Sequence, residues 1–549
     1  MFSSRNKIEL TRIFKNLLFS LFILIVFVYA LLFLIKPQLG PTDDFVFLRT
    51  LQAGRPLVYA SQNFPYYDWL GLGRFHPLVS WEYNLVGLFS TQPFWYFFYH
   101  ALQFILFIIL LLKLLKQFSP DEKLAFLIIL ILIFLPAFTI SWFRLQLPER
   151  NALFFFTAFL LTYLAYLKEQ RWFYFILALV LANIAIYYKE AAFIAVGAFA
   201  FFHLVLSWRR GRPRARRLDL LLGASSIFYL SLYYLNVYQY SQPFIFRHPA
   251  ERSFLVFLKN IFNYSFFSDP ILFLLLMPLA GWRFYRISAK KDKPDALTDS
   301  LTAAAAVYVL GFLVLNLFQP YYLLPAYAFG LPALLYFFNQ TGKLNLGKKL
   351  WLGLVCFLFL TNTLPAGLYF LTYNKYLPVN FNQALDFLIE KIRSAPAGQK
   401  TIIFLDGVDL ATGRGTYFIL AEFLHFRGAP FDKFDLKSNT PTARPEPVFS
   451  KIQFPFTIFN QDTPSTIQSG DYLIVTPQSS KNITREYLNS LKQDYDLVFQ
   501  TKSPLTFPNI NLKTLVKYLL TQYSNVDTGN LVKNQNLSIL PDYYVFVKR

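Results

Sequence analysis

The feature that most constrains this chain is a series of long apolar runs. A transmembrane helix needs about 20 consecutive, mostly apolar residues. We count eleven runs of about this length, at 16–35, 94–115, 124–143, 151–167, 172–187, 191–208, 218–237, 262–282, 300–318, 322–339 and 350–371. The 549 residues are 55% hydrophobic and 19% aromatic, which is the composition of a membrane protein. The sequence therefore predicts an α-helical polytopic membrane protein of about eleven transmembrane helices.

The net charge of +21 is explained by the loops between these runs. Lysines and arginines cluster in every second loop, most densely at 209–217. Positively charged residues are concentrated in cytoplasmic loops. The pattern therefore predicts a cytoplasmic N-terminus and, with an odd number of helices, a C-terminal part on the outer side. It argues against nucleic-acid binding. The run at 16–35 is too long for a signal peptide and is predicted to stay in the membrane.

The composition changes after residue 371, where the chain becomes more polar. Strand-like segments occur at 401–406, 471–476, 496–500 and 543–548, and helix-like segments occur at 381–393 and 416–428. Alternation of strands and helices is typical of an α/β domain with a largely parallel sheet. We therefore predict a transmembrane domain at 1–371 and an extracytoplasmic α/β domain at 372–549.

Two adjacent carboxylates, Asp43 and Asp44, follow the first apolar run. Aspartate is rare beside a membrane unless it caps a helix, forms a pair or takes part in function. An N-cap for a short helix at 43–54 explains one of them, but not the second. The pair is our candidate for an active site that faces the outer side.

Two further charged groups lie in very short outer loops. Arg144, Glu149 and Arg150 lie in the segment FRLQLPER, and Lys189-Glu190 joins two apolar runs almost without a loop. Such charges act either as interface anchors or as contacts to a substrate. The compact ammonium of Lys189 suits a phosphate carried by a lipid.

Other common sites are disfavoured. The single cysteine, Cys356, allows no internal disulfide, and the five histidines lack the spacing of metal ligands. The loop DGVDLATGRGTY at 406–417 lacks the third glycine of a dinucleotide fingerprint, so we interpret it as an ordinary loop.

Several motifs follow one another in a characteristic order. After the acidic pair come GRFHPLVSWEY (73–83), QPFWYFFYHALQF (92–104), PERNALFFFTAFLLTYLAYL (148–167) and YYKEAAFIAVGAF (187–199). Together they resemble the type C (GT-C) glycosyltransferase superfamily, in particular its protein O-mannosyltransferase-like and tetratricopeptide-linked mannosyltransferase-like branches. The resemblance covers 1–371. No tetratricopeptide array follows, and the Glu-Arg that often precedes the family's Tyr-Leu-Pro element is missing before QPYYLLPAYAFG (319–330).

The resemblance implies roles for single residues. Asp43 and Asp44 match the family's acidic pair. Arg74 with Pro77-Leu78 loosely matches an Arg-Pro-Leu element, into which Phe75-His76 is inserted. His100 matches a histidine that opens the second helix, and Lys189-Glu190 matches a Lys-Glu motif. It also implies inverting transfer of a hexose from a polyprenyl-phosphate donor to an acceptor hydroxyl.

In this hypothesis Asp43 or Asp44 removes the proton of the acceptor hydroxyl. Lys189 holds the phosphate, with Arg144 or Arg150 as helpers. The residues expected to contact the substrates are Arg74, His76, His100, Glu149 and Glu190. No metal site is predicted, although Mg²⁺ or Mn²⁺ could bind the acidic pair.

Two alternatives stay open. One is a transporter or lipid-linked-sugar flippase with an outer accessory domain, which the absence of an internal repeat disfavours. The other is a relative that binds the substrates without catalysis. The partners expected for the glycosyltransferase are a polyprenyl-phosphate-linked sugar donor, an acceptor protein, glycan or lipid, and the lipid bilayer.

Overall fold

A computed structural model describes most of the chain. The described residues are 4–42, 44, 75–119, 121–208, 213–235, 254–340, 346–408, 410–439, 465–477, 479, 483, 485–523 and 540–549. Asp43, Arg74 and nearly all of the helix predicted at 43–54 lie outside them.

Helices make up the greater part of the described structure. They are α1 (Ser4–Leu34), α2 (Trp81–Gly87), α3 (Pro93–Leu115), α4 (Glu122–Ile133), α5 (Pro136–Phe143), α6 (Pro148–Glu169), α7 (Trp172–Tyr188), α8 (Ala192–Ser207), α9 (Pro213–Tyr233), α10 (Phe254–Asn263), α11 (Met277–Ser288), α12 (Ala296–Val314), α13 (Tyr327–Gln340), α14 (Leu346–Leu358), α15 (Leu364–Ser394), α16 (Leu410–Phe426), α17 (Arg485–Leu491) and α18 (Leu512–Tyr523). The strands are β1 (Thr401–Leu405), β2 (Phe434–Lys437), β3 (Tyr472–Val475), β4 (Tyr495–Gln500) and β5 (Tyr544–Lys548).

The membrane part confirms the predicted fold class. Among the described residues, α1, α3, α6, α12 and the continuous stretch Lys349–Ser394 are long and apolar enough to cross a bilayer. The chain is therefore an integral membrane protein. The number of eleven spans is not confirmed, because the described helices give five spans, or seven if two bent pairs each count as one. Further apolar helices, such as α7 and α8, are shorter.

Prolines account for the bent pairs. The run predicted at 124–143 breaks before Pro136, and its two halves, α4 and α5, meet at 65°. The run at 262–282 breaks at Asp269-Pro270, where the helices diverge by 110°. Proline lacks the N–H that would continue the helix and disfavours helical geometry in the residue before it.

Aromatic side chains fill the interior of the bundle. The ring of Tyr29 on α1 stacks on Phe104 of α3 with centroids 4.9 Å apart, and Phe138 stacks on Trp142 within α5 at 5.3 Å. Such pairs stabilise by about 0.5–1.5 kcal/mol beyond the burial of their area. This packing fixes α5, and α5 leads directly into the segment that carries Arg144.

Helix α15 connects the bundle to the C-terminal domain. It runs for 31 residues and crosses the predicted boundary at 371/372 without a break. Its first part packs against α5. Its second part packs against the C-terminal domain, where Phe381 meets Phe423 of α16 with ring centroids 4.9 Å apart. The boundary itself stays a prediction.

The C-terminal domain contains the predicted sheet in the strand order β2-β1-β3-β5-β4. The four predicted strand segments all contain strands, but β2 was missed because charged Asp435 and Lys437 alternate with only two apolar residues. Strand β1 is parallel to β2 and β3, whereas β5 is antiparallel to β3 and β4. The prediction of a largely parallel sheet is therefore right for one half only, since residue alternation indicates a strand but not its direction.

Candidate active site

Charged residues from distant parts of the sequence meet where α6 begins and α7 ends. Glu149 and Arg150 lie in the first turn of α6, and Lys189 follows the last residue of α7. A carboxylate in the first turn suits the positive end of the helix dipole. The loop with His76 and helix α2 lie against the same helix ends, where His76 contacts Glu190 and Glu82 of α2 contacts Arg150.

Lys189 is enclosed by carboxylates. Its Nζ lies 2.9 Å from Oε1 of Glu149 and 3.6 Å from Oε2 of Glu190, and it lies 4.7 Å from the ring centre of Tyr322. The same oxygen of Glu190 is 3.2 Å from Nδ1 of His76. The side chains of Lys189 and Glu149 are only 3% and 1% exposed. Two acidic neighbours therefore balance the charge of this lysine.

A second network surrounds the buried guanidinium of Arg150. Nη2 donates to the hydroxyl of Tyr83 at 2.9 Å, and Nη1 lies 3.2 Å from Nδ1 of His100. Nε2 of His100 is 2.5 Å from the Tyr83 hydroxyl, which donates to the carbonyl of Leu145 at 2.7 Å. Nδ1 of His100 also lies 3.0 Å from the carbonyl oxygen of Trp142. The histidine predicted from sequence thus contacts the predicted arginine.

Glu82 of α2 completes this network. Its Oε1 accepts from the amide of Asn151 at 2.6 Å and lies 3.5 Å from Nη2 of Arg150. Its Oε2 accepts from the hydroxyl of Tyr188 at 2.9 Å. Burial raises the pKa of the Glu82 carboxyl, and the Arg150 charge opposes this shift. Because Tyr188 precedes Lys189 and Glu149 precedes Arg150, the two networks lie side by side.

Asp44 is buried in the segment that follows α1. Its Oδ2 accepts from the backbone N–H of Gly40 at 2.7 Å. The side chain of Lys375 donates to the carbonyl of Ile35, and so attaches the segment after α1 to helix α15. The residue before it, Asn374, accepts from Nε of Arg144 at 3.2 Å. Adjacent residues of α15 therefore hold the segment that leads to Asp44 and the guanidinium of Arg144.

Arg144 differs from the other cations of the site. It is half-buried, and among the described residues no carboxylate lies within ion-pair distance of its guanidinium. Lys189 and Arg150, in contrast, each have a buried acidic partner. Arg144 is thus the predicted phosphate contact whose charge is least neutralised within the described part of the chain.

The predicted site residues are brought together to different degrees. Lys189, Glu149, Glu190 and His76 form one network, Arg150 and His100 form the second, and Arg144 and Asp44 approach the same stretch of α15. Asp43 and Arg74 lie outside the described residues.

Sequence reasoning missed several polar members of the site. They are Glu82, Tyr83, Asn151 and Tyr188. Sequence reasoning also missed a buried carboxylate outside these networks, Asp269, at the break after α10. Glu82, Tyr83 and Asn151 each lie in a segment that already carried the resemblance. A carboxylate in the middle of an apolar run was the available signal for Asp269.

The described residues contain no candidate metal site. No group of three or more His, Cys, Asp or Glu side chains in the described ranges could hold a metal ion. Since Asp43 is not among them, they do not test whether Mg²⁺ or Mn²⁺ binds the acidic pair.

Comparison with known proteins gives few matches. No family model matches the chain. An uncharacterized protein of Aquifex aeolicus is 26% identical over 335 residues, which cover 58% of this chain and 64% of the relative. The chain thus spans slightly less than two thirds of that relative's length.

Two solved structures are similar at a low level. ArnT from Cupriavidus metallidurans, bound to undecaprenyl phosphate, aligns with a TM-score of 0.43 and 13% identity over 87% of this chain and 96% of ArnT. The archaeal oligosaccharyltransferase AglB from Archaeoglobus fulgidus, in complex with an inhibitory peptide and a dolichol-phosphate, aligns with a TM-score of 0.38 and 12% identity over 96% of this chain and 88% of AglB. At these scores neither similarity establishes a function.

Proposed function

We propose that the protein is a membrane glycosyltransferase of the GT-C type, which transfers a sugar from a polyprenyl-phosphate donor to an acceptor hydroxyl. One observation carries the proposal. Helix α15 holds, at adjacent positions, the segment that leads to the buried carboxylate of Asp44 and the guanidinium of Arg144. A base and a cation near each other are what such a transfer requires.

The chemistry follows from these two groups. The acceptor oxygen attacks the anomeric carbon, and the bond between that carbon and the phosphate oxygen breaks on the opposite face. Asp44 takes the proton from the acceptor hydroxyl as the new bond forms. The polyprenyl phosphate leaves with the bonding electron pair, and the guanidinium stabilises its charge. The configuration at the anomeric carbon is inverted.

We propose Arg144 ahead of Lys189 as the main contact to the phosphate. A phosphate at Lys189 would lie beside Glu149 and Glu190, whose negative charges repel it. A guanidinium can also bind two phosphate oxygens at once. Lys189 and Arg150 remain predicted contacts of lower priority. Lys189 also joins the end of α7 to the start of α6, and Arg150 joins α6 to α2 and α3.

Binding of undecaprenyl phosphate to the full chain in nanodiscs tests the phosphate site. Arg144→Gln should weaken binding by about tenfold or more, since a charge-assisted hydrogen bond contributes about 1.5–3 kcal/mol. Arg171→Gln is the matched control, because Arg171 is 72% exposed beside Glu169 at the opposite end of α6. Equal affinities of the two variants would contradict the role of Arg144.

Release of undecaprenyl phosphate tests the reaction. The full chain is incubated with undecaprenyl-phosphate hexoses and native membranes that supply acceptors. Asp44→Asn should slow release by about 10²–10⁴-fold while undecaprenyl phosphate still binds. Binding without release by the wild type would favour the flippase alternative, and wild-type rates in Asp44→Asn would refute the proposed base.

A further inference from the structure

We propose that the C-terminal α/β domain positions the catalytic carboxylate through a relay from Arg427 to Asn382, to the peptide bond between Leu39 and Gly40, and then to Asp44. The inference rests on the proposed function, in which Asp44 is the base. Residues 35–42 and 44 are called the acidic loop here. The relay gives the C-terminal domain a part in the reaction that sequence motifs did not assign.

The first step is the anchoring of Arg427, which follows α16. Nη2 of Arg427 lies 2.7 Å from Oδ1 of Asp386 on α15. Nη1 donates to the side-chain oxygen of Asn382 at 3.2 Å and lies 3.3 Å from its carbonyl. The carbonyl of Arg427 accepts from Arg393 at 3.0 Å. The planar guanidinium is thus fixed between two helices.

The second step is the orientation of the Asn382 amide. A carboxamide has an accepting oxygen at one end and a donating NH₂ group at the other. Arg427 can only donate, so it keeps the oxygen of Asn382 on its own side. The NH₂ group then points to the acidic loop, where it donates to the carbonyl of Leu39 at 2.8 Å. It also donates to the carbonyl of Pro378, one turn earlier in α15, at 2.8 Å. A flipped amide would place two donors against each other.

The third step passes through a single peptide unit. The carbonyl of Leu39 and the N–H of Gly40 belong to the same planar bond and point in opposite directions in the trans form. Asn382 holds the carbonyl, and the N–H donates to Oδ2 of Asp44 at 2.7 Å. The orientation of Asn382 therefore sets the direction of the N–H that binds the carboxylate.

Packing also holds the acidic loop against α15 and the rest of the C-terminal domain. A Cβ placed on Gly40 would lie 3.1 Å from Pro378 of α15 and 3.5 Å from Oδ2 of Asp44. The next residue, Pro41, lines an apolar cavity of the C-terminal domain together with Leu385 and Tyr543. A shift of the domain would therefore move the loop that carries Asp44.

Two substitutions interrupt the relay at different points. Asn382→Asp keeps the oxygen that faces Arg427 but removes the NH₂ group that binds Leu39. Arg427→Met keeps the apolar stem but removes the donor that holds the side-chain oxygen of Asn382. Arg549→Met is the matched control, because Arg549 also binds a carboxylate, Asp496 at 2.8 Å, and a backbone carbonyl, but within the far strands of the sheet.

Hydrogen exchange of the full chain and release of undecaprenyl phosphate are the two measurements. Both relay variants should exchange faster at residues 35–44 and should lower kcat for release by about 10- to 100-fold, because a misplaced catalytic group costs about that much. Their affinity for undecaprenyl phosphate should stay within about twofold, since Arg144 is untouched, and Arg549→Met should change none of these quantities.

The two measurements separate the possible failures. Unchanged exchange at residues 35–44 in Asn382→Asp and Arg427→Met would overturn the relay, whatever the activity. Faster exchange at these residues together with a wild-type rate of undecaprenyl phosphate release would support the contacts of the relay. It would also show that Asp44 takes no part in the reaction, and so overturn the proposed function. A kcat that falls equally in Arg549→Met would show general destabilisation of the domain and also overturn the relay.

Discussion

Replacement of Lys189 by methionine separates its two proposed roles, as an ion-pair partner and as a phosphate contact. The substitution leaves Glu149 buried without the cation that lies 2.9 Å away. Removal of one partner of a buried ion pair costs about 3–5 kcal/mol. Glu190, 3.6 Å from the lysine, adds a second negative charge to the same space. We therefore expect Lys189→Met to lose about 3–5 kcal/mol of unfolding free energy.

The double variant Lys189→Met/Glu149→Gln should recover most of this loss. Neutral side chains of similar size often replace a buried ion pair without loss of stability. Unfolding titrations in mixed micelles, carried out on both single variants and the double variant, measure the coupling. If the free energy of unfolding of Lys189→Met lies within about 0.5 kcal/mol of the wild-type value, the ion pair contributes little to stability and this reasoning is wrong.

Binding of undecaprenyl phosphate to the same variants then tests the second role. If Lys189 contacts the phosphate, the double variant regains stability but binds at least about tenfold more weakly, which corresponds to about 1.4 kcal/mol. Lys189→Arg should be less harmful, since it keeps the charge but changes the geometry. If the double variant regains both stability and affinity, Lys189 is only an anchor.

Three further predictions concern orientation, the Arg150 network and the C-terminal domain. In a Cys356→Ala background, Ser469→Cys should react with a membrane-impermeant thiol reagent on intact cells, and reaction only after lysis would reverse the predicted topology. Tyr83→Phe should cost about 1–3 kcal/mol, because it removes the hydroxyl that accepts from Nη2 of Arg150 and donates to the carbonyl of Leu145. Tyr29→Phe should leave stability nearly unchanged, because the hydroxyl of Tyr29 has no described hydrogen-bond partner. A fragment of residues 378–549 should unfold cooperatively by circular dichroism, and a featureless melt would contradict its independence.

Local signals in the sequence were sufficient for the class of fold and for most strands. The apolar runs predict membrane helices because their length matches the bilayer, and TIIFLD predicts β1 because its residues favour a buried strand. The sequence did not predict that Pro136 and Pro270 break two of the runs, because a proline at a helix break and one at a tolerated kink look alike. Strand β2 was not predicted because its sequence, FDLK, has only two apolar residues, whereas the equally short β3, YLIV, is apolar throughout.

Partners that are distant in sequence explain why the site was only partly predicted. Lys189-Glu190 stood out as an adjacent pair, but the nearest partner of Lys189 is Glu149, forty residues earlier in the chain. Likewise, Arg150 bonds to Tyr83, and Glu82 bonds to Tyr188. A single sequence shows which charges lie near helix ends, but their pairing depends on which helices pack side by side.

Helix geometry also decides which cation can serve a substrate. Successive residues of an α-helix point about 100° apart, since a turn holds about 3.6 residues. The neighbours Glu149 and Arg150 therefore face different partners, Lys189 and Glu82, and each forms an opposite-charge pair. The two charges of each pair neutralise one another inside the protein, and the pairs stabilise the helix ends. Arg144 lies before α6, outside this alternation, and is held by the neutral amide of Asn374. Among the predicted phosphate contacts in the described part of the chain, Arg144 is therefore the one whose charge an anionic substrate can use without first breaking a buried ion pair.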